Sequence, residues 1–432
     1  MEIVHPRVAG LDVHKKVVWV AARLPGERAG ERTVTVRRVK TFWRSLRQMA
    51  AWLAGLGVTD AAMESTGVYW WPVYHALAQA GIQVCVCNAA HMRNVPGRKT
   101  DLADCQWIAE LHEHGLLRAS FIPTGAVAEL RARTRYRKKL IQQRVSEGQR
   151  LSKVLEDAGI KIDSVASELL GKSGRAMIEA LIAGEREPGR LASLALGRLR
   201  RKTEELAMAC DGRFTAAHAQ MCRLHLDAYD HLTGQIAELD ALVAEAAAPF
   251  AVLIPRLVTI PGIGRRTAEV IVAETGGDMA RFATAARLAA WAGLAPGDNE
   301  SAGKRKHAAA RKGNRYLRVA MVEAAWATAR TRTRPGARFR RLARRFGRGH
   351  EKKAALAVAH TLTRITWAVL SRGEDYADAG EDYDQRDQRN REHLIRHHQQ
   401  ALARLGCQVT LAPPGDGSPP SGTASPHPGQ AA

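Results

Sequence analysis

The N-terminal part of the chain has a pattern of alternating apolar residues that predicts a β-sheet. Two β-rich runs over residues 8–24 are separated by the polar pair Lys15 and Lys16, and valines alternate with polar residues in a third run over 32–40. A hydrophobic period of two predicts half-buried strands. These residues therefore predict a hairpin followed by a third strand of the same sheet.

Helical and strand patterns then alternate. Residues 42–56 predict an amphipathic helix, because Leu46, Met49, Ala50 and Leu53 recur at helical spacing. Further strands are expected at 58–63 and 82–87, and further helices at 70–80 and 101–114. We interpret residues 1–123 as a mixed α/β layer, in the order of a ribonuclease H-like fold, although the pattern alone also permits other α/β layers.

The rest of the chain predicts mainly helices. Residues 124–250 predict a helical or coiled-coil region with long helices at 130–158 and 213–248. Its charged faces are as compatible with plain solvation as with dimerisation or RNA binding. Residues 251–373 predict a C-terminal, mainly helical domain. Residues 374–432 predict a polar, largely disordered tail, with a short helix possible at 393–405.

The charge balance favours a polyanionic partner. The chain has 65 Lys and Arg against 43 Asp and Glu, a net charge of +22, and residues 301–372 hold 20 of the cations with only two acids. Nucleic acid is the expected ligand of such a surface. With 46% hydrophobic residues, a wholly disordered or fibrous chain is excluded.

Cysteine spacing and hydropathy indicate a cytoplasmic protein. The six cysteines include no CxxC pair, so neither a disulfide framework nor a zinc ribbon is indicated. No run of 18 uncharged apolar residues occurs, and no basic segment followed by an apolar one opens the chain, so we expect neither a membrane span nor export.

Four acids of the α/β layer are candidate metal ligands. Asp12 lies inside the first apolar run, Glu64 follows the strand at 58–63, and Asp101 and Asp104 lie on one face of a helix that Thr100 could cap. Mg²⁺ prefers carboxylate oxygens, and two such ions can clamp the attacking and leaving oxygens of a phosphodiester. Each acid alone could also be structural, as a cap or a bulge residue.

Two features of the C-terminal region are candidate phosphate contacts. Residues 257–275 have the form of a helix-hairpin-helix, in which Gly262 and Gly264 let backbone N–H groups approach a phosphate, or of an ordinary Pro-Gly turn. The loop at 297–312 holds a single serine, Ser301. Its hydroxyl could attack phosphorus, although serines in basic loops more often form turns or touch phosphate. Lys304, Arg305, Arg311, Lys312 and Arg315 are the candidate phosphate-binding cations around it.

In sequence order, the motifs resemble those of the insertion sequence 110 family of transposases. They read GLDVHK at 10–15, MESTGVY at 63–69, KTDLAD at 99–104, PGIG at 261–264, WAGLAP at 291–296, SAGK at 301–304 and KGNRYL at 312–317. The loop at Ser301 departs from many relatives, which have paired serines and glycines there. The tail matches no family motif.

The resemblance implies a site and a reaction. Asp12, Glu64, Asp101 and Asp104 would be the Asp-Glu-Asp-Asp set of a RuvC-like domain that holds Mg²⁺, with two ions expected. Ser301 would form a transient covalent link to a DNA phosphate. The resemblance also implies an oligomer, from dimer to tetramer, in which the RuvC-like domain of one subunit works with the serine of another. A non-coding bridge RNA would pair with donor and target DNA.

Three functions are compatible with these residues. The leading hypothesis is a Mg²⁺-dependent, serine-using recombinase that moves an insertion sequence. A Holliday-junction-type endonuclease would use the four acids and water without a covalent intermediate. A nucleic-acid-binding scaffold would retain the acids without using them.

Overall fold

In a computed structural model, the chain forms two compact units, residues 1–124 and residues 125–432. The structure describes residues 2–28, 30–65, 67–88, 101–297, 300–301, 304–305, 312–378 and 380–406; for 101–102, 300–301, 304–305 and 381–391 it describes the backbone alone. Each unit has its own hydrophobic core.

The first unit is built on one mixed sheet. Its strands are β1 Val8–Val13, β2 Val17–Pro25, β3 Arg32–Lys40, β4 Asp60–Glu64 and β5 Gln83–Cys87. Their order is β3-β2-β1-β4-β5. The first three strands form an antiparallel meander, and β4 and β5 lie parallel to β1. This order and these directions confirm the predicted ribonuclease H-like, RuvC-like fold.

Helices cover both faces of this sheet. They are α1 Trp43–Gly55, α2 Trp70–Gln79 and α3 Asp101–Glu113. The predicted apolar positions of α1, from Leu46 to Leu53, are its buried ones, and they pack with Leu11 and Val13 of β1. Because side chains alternate along a strand, Val8, Gly10 and Asp12 point to the opposite face. That face is covered by α3, since Val8 packs with Cys105 and Ala109.

Gly10 sets the distance between α3 and the sheet. A Cβ atom at this position would lie 2.2 Å from the carbonyl oxygen of Cys105 and 2.3 Å from the nitrogen of Ala109. Only glycine permits so close an approach of helix backbone to strand backbone. The Gly-x-Asp pattern therefore places the Asp12 side chain beside α3.

The second unit begins with two long helices and shorter ones between them. They are α4 Gly125–Asp157, α5 Ile162–Val165, α6 Lys172–Ile182, α7 Pro188–Ser193, α8 Thr203–Cys210 and α9 Ala216–Ala246. Leu140 of α4 packs with Ile236 and Leu239 of α9, whereas Leu151 packs in a cluster with Leu226. The two long helices are thus antiparallel, as a helical hairpin requires.

The remaining elements of this unit surround a second core. They are α10 Leu253–Val258, α11 Arg265–Thr275, α12 Ala285–Trp291, the two-residue strands β6 Glu300–Ser301 and β7 Lys304–Arg305, α13 Arg315–Thr328, α14 Arg334–Phe346, α15 Glu351–Arg372 and α16 Gly380–Arg404. Leu130 of α4 belongs to the same core as α10–α15, so no separate core begins at residue 251.

Two helices of this unit bear on the sequence expectations. Among the described residues, α15 is the one helix long and apolar enough to cross a membrane, and its buried face, including Val358 and Leu362, packs into the core.

The short helix expected at 393–405 is instead α16, which begins at Gly380. Its acidic and basic residues can pair along the helix, as Glu392 and Arg396 do. Residues 407–432 lie outside the described part of the chain.

Candidate functional site

Asp12 and Glu64 lie side by side at one edge of the sheet. In the parallel register of β1 and β4, Gly10 pairs with Ala62 and Leu11 with Met63. Extended by one residue, this register sets Asp12 against Glu64, the last residue of β4. Residues in register on neighbouring strands point to the same face. Both carboxylates therefore project toward the face that α3 covers.

Helix α3 brings a third carboxylate to this edge. The helix runs antiparallel to β1, because Val4 and His5 bond to its end at Glu113 while Gly10 touches it at Cys105. Burial, together with the charges of Asp12 and Asp104, raises the pKa of the Cys105 thiol to about 11. Both acids are therefore close to this thiol, and Asp104 lies at the same edge as Asp12.

The fourth predicted acid, Asp101, is the first residue of α3. It precedes Asp104 by three residues and so lies on the same helical face. Its side chain, and the whole of its predicted cap Thr100, lie outside the described residues. The placement of the acids at one edge thus rests on strand register for Asp12 and Glu64, and on the position of α3 for Asp101 and Asp104.

Sequence reasoning missed a histidine in contact with this cluster. Nε2 of His14 lies 2.9 Å from Oδ2 of Asp12. The Asp12 side chain is 17% exposed and that of His14 is 45% exposed. The chemistry of the site suits a hard cation, since partly exposed carboxylates can bind Mg²⁺ while water fills the other positions. The sequence signal for this contact was that His14 follows Asp12 by two residues, at the end of the first predicted strand.

The predicted serine lies in a short hairpin of the second unit. Ser301 of β6 pairs with Lys304 of β7, and Glu300 pairs with Arg305. The backbone therefore places two of the predicted phosphate-binding cations opposite or next to the serine. The side chains of these residues, and all of Arg311, lie outside the described part of the chain.

The loop that carries this hairpin is closed at its base. The backbone nitrogen of Asn314 donates a hydrogen bond of 2.9 Å to the carbonyl oxygen of Trp291. A Cβ atom on Gly313 would lie 2.3 Å from the nitrogen of Gly293, so only glycine fits there. The two ends of the loop are held together where α12 ends and α13 begins.

A buried ion network fixes the start of α13. Oδ1 of Asn314 caps the helix by accepting from the nitrogens of Tyr316 and Leu317. Its Nδ2 donates to Oε2 of Glu274 at 2.6 Å. Glu274 is fully buried, and both of its carboxylate oxygens accept hydrogen bonds from Arg135 at 2.8 Å.

A second arginine completes this network. Arg131 donates to the carbonyl oxygens of Ala273 and Glu274 at 2.9 and 2.7 Å, and its Nε lies 3.6 Å from Oε2 of Glu274. Burial lowers the pKa of Arg131 to about 10, so it is still charged at neutral pH. Helices α4 and α11 and the base of the serine loop are thereby tied to one carboxylate.

We expect Glu274→Ala to lower the free energy of unfolding by about 3–5 kcal/mol, because it leaves the buried Arg131 and the partly exposed Arg135 without their counter-charge. Urea denaturation of the full chain measures this. The matched control is Glu323→Ala, which removes a largely exposed acid paired with Lys138 and should cost at most about 1 kcal/mol. Equal losses in both variants would contradict the assigned role of Glu274.

A basic groove opens beside this network. Its volume is about 770 Å³, and helices α4, α11 and α13 line it. Its cations are Arg135, Arg137, Lys138, Lys139, Arg266 and Arg315, and its acids are Glu269, Glu274 and Glu323. Arg135 and Arg315 both stack on the ring of Tyr316, at 4.5 and 4.8 Å from its centre. Cations interleaved with an aromatic ring can bind a sugar-phosphate chain and its bases.

Of the cations in this groove, Arg315 was predicted from the sequence, and those of α4 and α11 were not. The many Lys and Arg residues of α4 were the sequence signal for this groove, but they were equally compatible with a helix face exposed to solvent. Lys312, also predicted, is exposed just before α13. The groove supplies the geometric reason for preferring an anion-binding interpretation of this face.

The glycine turn between α10 and α11 has one packed and one open position. Gly262 has a φ of +82°, and a Cβ there would lie 2.4 Å from the carbonyl oxygen of Ala324 in α13. Its packing against α13 alone accounts for the need for glycine. Gly264 precedes α11, and an added Cβ would meet nothing within 4 Å. The predicted phosphate contact is therefore sterically open at Gly264.

Two family models match the chain. One, described as "Transposase" and built on the DEDD type of insertion sequence 110, matches residues 9–160. The other, described as "Transposase IS116/IS110/IS902 family", matches residues 254–340. Together they cover more than half of the chain. The first contains the four predicted acids and the second contains Ser301.

Curated relatives and a solved structure are similar over part of the chain. "Putative transposase y4pF/y4sB" of Sinorhizobium fredii is 34% identical over 128 residues, 29% of this chain and 33% of that protein. "Insertion element IS110 uncharacterized 43.6 kDa protein" of Streptomyces coelicolor is 38% identical over 126 residues, 29% of this chain and 30% of that protein. The Thermus thermophilus RuvC structure is 14% identical, with a TM-score of 0.22, over 26% of this chain and 99% of that one.

Proposed function

Because the chain belongs to the insertion sequence 110 family of transposases, we propose that it cuts and rejoins DNA strands at the ends of a mobile element. One observation carries the proposal: Asp12 and Glu64 lie in register at the edge of a ribonuclease H-like sheet, and Asp104 approaches them from α3. Acids gathered in this way repel one another unless a cation lies between them.

In this proposal, Asp12, Glu64, Asp101 and Asp104 hold two Mg²⁺ ions. Bound there, Mg²⁺ would supply positive charge that stabilises the negative charge developing at the phosphodiester during strand transfer. The carboxylates would hold the ions at the ends of β1 and β4 and at the start of α3. His14 holds one oxygen of Asp12 and so orients that ligand.

Ser301 is the proposed nucleophile. Its Oγ forms a bond to phosphorus while the bond from phosphorus to one bridging oxygen breaks, and that oxygen departs as a DNA hydroxyl with the proton that the serine gave up. A hydroxyl of the partner strand then attacks the same phosphorus, which forms the new phosphodiester and returns the proton to Ser301. Lys304 and Arg305, next to it in the hairpin, would stabilise the charged phosphate.

We further propose that the acidic site of one subunit meets the serine of another, in a dimer or tetramer, and that a bridge RNA selects the donor and target DNA. The excess of cations in the second unit and its basic groove support a polyanionic partner. Arg315, Lys312 and the open turn at Gly264 would contact backbone phosphates, which hold the nucleic acid without reading its sequence.

The decisive experiment incubates the purified full chain with DNA that carries the element's ends, with the element's RNA, and with or without Mg²⁺. Recombined strands that appear only with Mg²⁺ support the proposal. Cleavage with free ends and no rejoined product supports the endonuclease alternative. Binding without any strand breakage would support the scaffold and overturn the proposal.

We expect the groove to set the salt dependence of nucleic-acid binding. Removing one cation that binds a phosphate lowers the slope of log affinity against log salt by about one. Lys139→Gln and Arg315→Gln should each lower it by about one, and the double variant by about two. Arg198→Gln, an exposed cation that does not line the groove, is the matched control. Fluorescence anisotropy across a salt series measures this, and unchanged slopes in the groove variants would exclude the groove as the binding surface.

A further inference from the structure

A second cluster of potential ligands lies at the other end of the sheet from the four acids. His5 precedes β1, Asp60 is the first residue of β4, and His112 lies in the last turn of α3. One ligand atom from each lies within 4.8 Å of the other two. The three residues are far apart in sequence, and the fold brings them to one point.

His112 is the most constrained member of this cluster. Its side chain is 6% exposed, and its Nε2 is buried without a hydrogen-bond partner in the described part of the chain. Leaving such a nitrogen unsatisfied is unfavourable, because it has lost its hydrogen bond to water and gained no other. Its ring stacks on that of His5, with centres 4.7 Å apart. A buried, unpaired nitrogen beside a second imidazole and a carboxylate indicates a ligand that completes the group.

We propose that His5, Asp60 and His112 bind a Zn²⁺ ion that ties the N-terminal segment to β4 and to the end of α3. Two imidazoles and one carboxylate form a ligand set for zinc and its neighbours in the first transition row, whereas Mg²⁺ prefers an all-oxygen set. The two ends of the sheet therefore differ in the metal that they select. The proposal is independent of the proposed recombinase activity.

The distance between His5 and Asp60 is suited to this ion. Nδ1 of His5 lies 3.5 Å from Oδ1 of Asp60. Ligand atoms on a tetrahedral zinc lie roughly 3.3 Å apart, as bonds of about 2.0–2.1 Å require. Burial, followed by the charge of His5, lowers the pKa of His112 to about 4, so its ring is neutral and its lone pair is available at neutral pH.

The surrounding hydrogen bonds hold the ligands in place. Oδ2 of Asp60 accepts from Oγ1 of Thr59 at 2.7 Å, which leaves Oδ1 for the ion. The backbone nitrogen of His5 donates to the carbonyl oxygen of Glu113 at 3.0 Å. Partners of this kind orient metal ligands and raise affinity. The His5 side chain is 32% exposed, which gives the ion and a fourth, water ligand access from solvent.

The site would position the helix that carries two of the proposed catalytic acids. His112 follows Asp104 by eight residues, about 12 Å along α3 at 1.5 Å per residue. An ion bound to His112 at one end of α3 fixes this end against β4. The other end, with Asp101 and Asp104, is then held against β1.

The test uses the full chain without a histidine tag, stripped with a chelator and titrated with Zn²⁺ in millimolar Mg²⁺. Calorimetry should give one tight site per chain, and Co²⁺ in place of Zn²⁺ should give visible absorption typical of a nitrogen-oxygen site. His5→Gln and Asp60→Asn should each lose more than the 10–100-fold in affinity that loss of an outer-shell partner costs. Neither side chain is fully buried, at 32% exposed for His5 and 17% for Asp60, and circular dichroism verifies that both variants fold.

His75→Gln is the matched control, because His75 belongs to the same unit but stacks on Trp71 away from the cluster. It should bind Zn²⁺ as the unaltered chain does. Zn²⁺ should also raise the melting temperature of the unaltered chain and of His75→Gln, but not that of His5→Gln. Absence of a tight site in the unaltered chain, or unaltered binding by His5→Gln and Asp60→Asn, would overturn the proposal.

Discussion

Asp12→Asn should abolish the proposed Mg²⁺-dependent DNA cleavage, with a loss of at least about 1,000-fold in rate. The carboxylate lies beside Glu64 at the edge of the sheet that faces α3, where a neutral amide supplies only one weak oxygen ligand. Loss of a metal that stabilises the transition state by several kcal/mol gives a loss of this size, since each 1.36 kcal/mol is tenfold. Single-turnover cleavage of labelled element-end DNA measures it.

The matched control for this change is Glu110→Gln, which alters an acid on α3 that is not among the proposed ligands. It should cleave at the unaltered rate. Asp12→Asn should still fold and bind DNA, because its hydrogen bond to His14 can be kept by an amide oxygen. Cleavage by Asp12→Asn within tenfold of the unaltered chain would show that the acids are structural and would remove the metal from the mechanism.

The first unit was predictable because its strands carry local signals. The strand β3 was expected at 32–40 and is found there, and the apolar positions of α1 are the ones it buries. Both faces of β1 and β4 are covered, so most of their residues are apolar. An acid inside such a strand, such as Asp12, is therefore conspicuous in the sequence. The positions of Asp12 in β1, of Glu64 at the end of β4 and of Asp104 in α3 could be predicted, because each lies in an element with a recognisable local pattern. That they bind a metal together stays a prediction.

The remaining features depend on contacts between distant residues. The sequence does not indicate that His5 and His112 are neighbours. They become neighbours because the segment before β1 packs against the last turn of α3. In the sequence, Glu274 is indistinguishable from the other charged residues of a helix. It is buried because α4 packs on α11 and places Arg131 and Arg135 against it. Periodicity reports which face of an element is buried and does not report which element covers it.

The two termini of α3 connect these features. Close packing on Gly10 leaves α3 little freedom to slide along β1, so the position of its last turn determines that of its first. The buried Glu113, paired with Arg23 at 2.7 Å, already holds the last turn. The geometry of the acidic edge is thereby determined partly at the opposite edge of the sheet.

Ser301→Ala should eliminate the covalent protein–DNA adduct and all strand exchange, while DNA binding stays unchanged. Removing the hydroxyl leaves no atom that can bond to phosphorus, so the loss should be complete within detection. Suicide DNA substrates that prevent rejoining will trap the adduct, which denaturing gels resolve. Ser371→Ala, an exposed serine of α15, is the matched control and should form the adduct normally.

The same variant separates the two enzymatic mechanisms and tests how subunits share the reaction. If the acids activate water, Ser301→Ala should cut DNA as well as the unaltered chain does, and that result would exclude the serine pathway. If one subunit supplies the acids and another the serine, mixtures of Asp12→Asn and Ser301→Ala chains should recover part of the activity that each lacks alone. A mixture as inactive as its components would show that both sites must lie in one subunit, because each chain then needs its own acids and its own hydroxyl.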